Sequence, residues 1–154
     1  MKQALQLIYF AEESLRSYHK LVSPVIRYAH GIVRHVSESL HGSAVALRDF
    51  IAVDQHMHTQ TLNHVNRRAS FAQGAALLTL YTKAFSGVTL QGIREASQVP
   101  PVPQDEALAR KCRIAALIAN IKSEVRAGRT PGHLASVWGI FTAALGIGPG
   151  EHPR

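Results

Sequence analysis

Nine histidines among 154 residues are the first feature with chemical meaning, since imidazole is a common metal ligand and titrates near neutrality. The closest pair is His56-x-His58. On a helix, residues two apart point to different faces, so this pair cannot easily share one ion. His30, His35 and His41 also miss the i, i+4 spacing that stacks two imidazoles on one face, and no second carboxylate or thiolate completes a ligand set. The sequence predicts no metal site within the chain and no intrinsic cofactor. A site shared across a dimer interface stays open.

The other reactive residue types point the same way. Cys112 lies between Lys111 and Arg113, whose charges favour a thiolate. With no second cysteine and no positioned base, it reads more simply as a small residue at the edge of a core. A lone cysteine allows no intrachain disulfide, so a reducing compartment is expected. Arg67 and Arg68 precede an apolar helical stretch; one is expected to pair with a buried carboxylate or backbone carbonyls and the other to face a partner. His133 falls in the first turn of an expected helix, where it either orients a partner contact or bonds a neighbouring backbone group. There is no G-x-S-x-G, no H-E-x-x-H and no Walker A loop. Gly146-x-Gly148-x-Gly150 follows a helical pattern, not a strand, and has no phosphate-binding context. No enzymatic activity is expected.

Apolar residues recur at helical spacing throughout, and strict alternation is missing, so the fold class is all-α: a bundle of about five helices. A first helix is expected over Lys2–Leu21. Ser23-Pro24 reads as an N-cap with proline at the first helical position, opening a second helix with Val25, Ala29, Ile32, Val33, Val36 and Leu40 inward, broken at Gly42-Ser43. The third and longest helix is expected over Ala44–Phe85. Its second half is apolar almost all round, which predicts the buried, central helix of the bundle. Gly74 inside it implies close approach of a neighbouring helix.

A linker over Ser86–Gln104 ends in Pro100-Pro101-Val102-Pro103. A fourth helix then presents Ile114, Leu117, Ile118, Ile121 and Val125, with Lys111, Lys122, Arg126 and Arg129 alongside, and ends at Gly128. Thr130-Pro131 repeats the capping pattern before a fifth helix with Leu134, Val137, Trp138, Phe141 and Leu145 inward. Gly146 suits the left-handed position past its end, with Ile147 packing back. Residues 1–147 are expected to form one domain and 148–154 a disordered tail. The N-terminus lacks a secretory signal, and no apolar run approaches the roughly 20 residues of a membrane span, so a cytoplasmic protein is expected. The charge of +7 implies solubility and an acidic partner.

Two stretches carry a resemblance. Arg68-Ala69-Ser70-Phe71-Ala72-Gln73-Gly74-Ala75-Ala76-Leu77-Leu78, with Leu62 to Arg67 before it, resembles the Arg-Ala-Ser-x-x-Gln-Gly-x-Ala-Leu-Leu helix of eukaryotic, especially fungal, urease accessory proteins of the F type (UreF). Gly132-His133-Leu134-Ala135-Ser136-Val137-Trp138-Gly139-Ile140, continuing to Ala144-Leu145-Gly146-Ile147, is similar to the family's helix that opens with His-x-x-x-x-Gly and closes with a Leu-Gly-Ile turn. The two occur in the family's order and cover roughly Ser23 to Ile147.

The resemblance implies an all-α, non-enzymatic scaffold that dimerises, binds the accessory protein UreD/UreH and recruits the GTPase UreG. That assembly docks on apo-urease, where nickel is inserted; nickel is handled by the complex. The family-motif positions Arg67, Arg68, Ser70, Gln73, Gly74, His133 and Gly139 are then the candidates for partner contact or structural use. Two departures stand out. Met1 to Gln6 shows nothing of the family's Gly-rich N-terminal segment, and the chain stops before its Ser-Ala-x-x-Arg-Leu motif. The resemblance thus implies a truncated relative with a weakened UreD/UreH contact. The alternative from charge alone is a basic helical nucleic-acid-binding module, for which no recognition helix or aromatic stacking platform is evident.

Overall fold

The structure is a computed structural model that describes residues 2–38, 42–84 and 106–148. Among them are five α-helices and no strand: α1 (Lys2–Glu38), α2 (Gly42–Gln60), α3 (His64–Ala84), α4 (Glu106–Arg126) and α5 (Leu134–Ala144). The all-α bundle expected from periodicity is what forms. The expected Pro-rich linker and the tail beyond Gly148 lie outside the described residues.

The expected start of a helix at Ser23-Pro24 is not observed. α1 runs 37 residues straight through Pro24, about 55 Å at 1.5 Å per residue. Apolar side chains explain the continuity. Ala4, Ile8, Ala11, Leu15, Tyr18, Val22, Val25, Ala29, Ile32 and Val36 alternate steps of four and three along the whole helix, a single seam uninterrupted by the proline. From Val22 onward this seam is buried. Before Val22 it is in solvent: Ile8 is 57% exposed, Leu15 69% and Tyr18 57%. Among the described residues, 2 to about 16 form an exposed arm, and Tyr18 borders α2 and α3 across a cavity.

The expected long third helix is two helices. Thr61 closes α2 with its N–H and hydroxyl on the Met57 carbonyl (3.1 and 2.9 Å). Asn63 then caps α3, its Oδ1 accepting the Val65 N–H at 2.9 Å. Nor is the second half of that segment the central helix. In α3 only Gly74, Leu78 and Tyr81 are buried, while Ala69, Ala72, Ala75, Ala76 and Leu80 are exposed. Alanine favours helix without requiring burial, so an Ala-rich run looks greasier than its packing is.

The central element is the short α5. Of its eleven residues, Ala135, Ser136, Val137, Gly139, Ile140, Thr142 and Ala143 are buried, enclosed chiefly by α1 and α3. The expected inward face holds in part: Val137 is buried and Phe141 packs on the core, but Trp138 is 43% exposed rather than a core anchor, and Leu145 is also exposed. Close packing against α1 selects the small residues. A Cβ on Gly139 would sit 2.5 Å from the Ile26 carbonyl oxygen and 2.7 Å from Ala29 Cβ. α4 covers another side with its expected stripe Ile114, Leu117, Ile118 and Ile121, completing a core with Phe50, Val33, Val36 and Ile140. Both α4 and α5 end at the expected glycines, and both are left-handed, as expected for Gly146. Gly146 (φ 74°) follows α5, with Ile147 N–H on Thr142 O at 2.9 Å. Gly128 (φ 71°) follows α4, with Arg129 N–H on Glu124 O at 3.0 Å.

Candidate functional site

The polar groups of the bundle converge where α5 begins. A helix start leaves backbone N–H groups without intrahelical partners, and here it is buried, so other elements must supply acceptors. Asp54 of α2 is fully buried and does most of this. Its carboxylate accepts the Gly132 N–H (2.6 Å), the His133 N–H (2.8 Å) and the Thr130 hydroxyl (2.6 Å). Ser70 of α3 takes the next donor, the Leu134 N–H, at 3.0 Å. A negative charge at a helix N-terminus is further favoured by the helix dipole.

His133 is the N-cap residue of α5 rather than part of its first turn, with φ −60° and ψ 143°. It makes no capping bond with its own side chain. The ring points back between α2 and α3. Nδ1 lies 3.0 Å from Ser70 Oγ, and Nε2 lies 3.3 Å from His58 Nδ1. Phe71 meets the His133 ring edge-on at 4.6 Å and stacks on His58 at 5.7 Å. One hydrogen arrangement satisfies every donor: Leu134 N–H to Ser70, Ser70 O–H to His133 Nδ1, and His133 Nε2–H to His58 Nδ1. It requires neutral His133. Burial holds the imidazole below its usual pKa; Asp54 opposes that shift, while His58 and Arg67 reinforce it.

The motif positions fall into three groups. Ser70, His133 and Gly74 meet in this cluster. A Cβ on Gly74 would lie 2.0 Å from the Gly132 carbonyl oxygen, so α3 touches the chain just before α5 where no side chain fits. Arg67 braces the nearby α2–α3 corner, its Nε donating to the Thr61 carbonyl. Gly139 serves the α1–α5 contact, apart from the cluster. Arg68 and Gln73 are exposed on α3. Gln73 lines a cavity of about 360 Å³ together with Tyr18, Gln60, Asn66 and Ser70. The far end of α5 is tied as well, His30 Nε2 donating to the Ile147 carbonyl at 2.8 Å.

Asp54 was not singled out from the sequence, and His58 was weighed only as a partner for His56. The available clue was position: Asp54 shares the buried face of α2 with Phe50 and Met57, and a carboxylate there demands donors. Chemically the cluster is suited to holding. Ser70 and His133 have the pairing of a nucleophile and base, but the hydroxyl already serves Leu134 and the ring is wholly buried. Among the described residues no group of three or more His, Cys, Asp or Glu could hold a metal ion. No helix among them is long and apolar enough to cross a membrane. Of the cations expected alongside the fourth helix, Lys122 bonds Thr82 Oγ1 at 2.7 Å, and Arg129, just past α4, makes two bonds to Glu124, which lower that carboxyl's pKa.

Fold and cluster define a helical bundle whose buried polar residues fix helix positions. Residues 2–152 match the UreF family. Over 102 residues, 66% of this chain, it is 34% identical to urease accessory protein 6 of Cryptococcus neoformans var. grubii; the matched stretch spans 30% of that relative's length. No solved structure matches. The chain belongs to the UreF family.

Proposed function

We propose that this chain is the structural core of a urease accessory scaffold, a non-catalytic protein that brings UreD/UreH and the GTPase UreG to apo-urease so that nickel, the cargo, can be inserted. The observation that carries this reading is the UreF match over residues 2–152. The two motif stretches behind the resemblance pack on each other, Ser70 and Gly74 of one against His133 and Gly132 of the other. A scaffold needs surfaces held in fixed relation, and the Asp54–His133 cluster provides that by locking α2, α3 and α5 together. It leaves Arg68 and Gln73 facing outward as candidate contacts. GTP hydrolysis belongs to UreG, since this chain has no phosphate-binding loop. The proposed setting is the cytoplasm, with a homodimer as the assembling unit.

The test is genetic and biochemical. A version carrying the family's remaining helices is expected to restore urease activity to cells lacking UreF and to co-purify with UreD and UreG. Failure of both rescue and co-purification removes this reading.

A further inference from the structure

We propose that the cavity of about 360 Å³ where α1, α2, α3 and the start of α5 meet receives a short, extended, uncharged segment of a partner polypeptide, held through its main-chain amides. The inference rests on the lining of the cavity and does not depend on the urease reading. Among the described residues, no Asp, Glu, Lys, Arg or His lines it. A charged group entering would lose water and meet no opposite charge, so the occupant is neutral. The polar lining is rich in carboxamides instead: Gln60 of α2, Asn63 ahead of α3, and Asn66 and Gln73 of α3. Asn63 is partly used, its Oδ1 accepting the Val65 N–H. The side-chain amides of Gln60, Asn66 and Gln73 make no hydrogen bond among the described residues, and all three are exposed at the rim. Each sets a C=O acceptor beside an NH2 donor, the complement of a main-chain N–H and C=O.

The spacing fits an extended chain. Asn66, Ser70 and Gln73 fall at i, i+4 and i+7 on one face of α3, so the two amides stand about 10.5 Å apart along the helix. An extended chain covers that distance in about three residues. Small Ala69 and Ser70 lie between the amides and let a main chain approach α3 there. Leu21, Met57 and Leu134 supply an apolar floor for alkyl side chains. Gln73 is the sharpest pointer. Ser70, Gly74, His133, Gly139 and Arg67 are used within the fold, whereas the Gln73 side chain bonds nothing there and lines this cavity beside Ser70. Because the Ser70 hydroxyl also holds the Leu134 N–H and the His133 ring, an occupant reports its arrival to the start of α5.

The probe is acetyl-Ala-Leu-Ala-amide, titrated into residues 1–154 and followed by NMR. Saturable shifts are expected at the side-chain NH2 of Asn66 and Gln73 and at the Leu134 N–H, with a Kd of about 1–5 mM. The same peptide with its amide nitrogens methylated is expected to bind at least about fivefold more weakly, as is the unmodified peptide to Gln73→Met. Gln55→Met, which removes an amide from the opposite face of α2, is expected to stay within about twofold. Acetamide separates a free small amide from a main chain, and at least about tenfold weaker binding is expected for it. Absence of saturable shifts, full affinity of the methylated peptide, or equal loss from Gln55→Met and Gln73→Met overturns the proposal. So does acetamide binding as tightly as the peptide, which assigns the cavity to a small amide. A clear fall in melting temperature for Gln73→Met also overturns it, since that places the amide in service of the fold.

Discussion

At the scale of single residues, Asp54 and His133 carry the most consequence. Asp54 is the shared acceptor of three buried donors from the segment before α5. Each buried donor left unpaired costs about 1–3 kcal/mol, so Asp54→Ala is expected to reduce stability by about 3–5 kcal/mol in urea unfolding. A loss below about 1 kcal/mol refutes the shared-acceptor role. His133 makes stability depend on pH with a definite sign. Its folded pKa lies below the unfolded value near 6.5, so between the two the unfolded chain binds more protons. The neutral ring's contribution is intact above about pH 6.5, declines as pH falls through that value, and levels off below the lowered folded pKa. Asp54, His58 and Arg67 face the ring and set how far it shifts. Urea midpoints across that range are expected to drop for the wild type and to drop less for His133→Asn; parallel profiles contradict the assignment.

At the scale of elements, Pro24 separates two accounts of α1. Proline inside a helix removes a hydrogen bond and crowds the preceding turn, at a cost of about 3 kcal/mol, whereas at a first helical position it costs nothing. If α1 is continuous, Pro24→Ala raises the melting temperature; if a helix begins there, the substitution is neutral or lowers it. Much of the fold was legible at this scale. The inward stripes of α4 and of the second half of α1, and the glycines that end α4 and α5, follow from residue type and spacing. What escaped reading has a common cause. The break at Thr61–Asn63 depends on Asn63 turning its side chain back to cap α3, which local sequence permits but does not require. The inward face of α5 was set by how closely α1 approaches, which favours Gly139 and Ala143 over Trp138. The site was half legible: Ser70, Gly74 and His133 were marked by the motifs, but Asp54 gains its role only when residues 76 to 79 positions away arrive beside it.

At the scale of the molecule, stability is unevenly spread. α5 is enclosed by other helices and tied at both ends, while the first turns of α1 are exposed and are packed by no other described helix. Isolated helices of this length are marginal in water. Amide hydrogen exchange is therefore expected to be fast over residues 2–18 and slowest in α5 and in α1 beyond Val25. Strong protection of the arm in the isolated chain contradicts its exposure. The same unevenness suits the proposed scaffold role, since a rigid centre keeps the outward faces in register.

The central position of α5 has a further consequence for synthesis. The helix that closes the bundle is the last described element to leave the ribosome, whereas the face of α1 that it covers is among the first. At about 5–20 residues per second, the buried stripe from Val22 to Val36 waits roughly 5–20 s for α5 to arrive. During that interval the apolar stripe of α1 lacks its α5 cover, which makes the nascent chain a natural client for a holding chaperone.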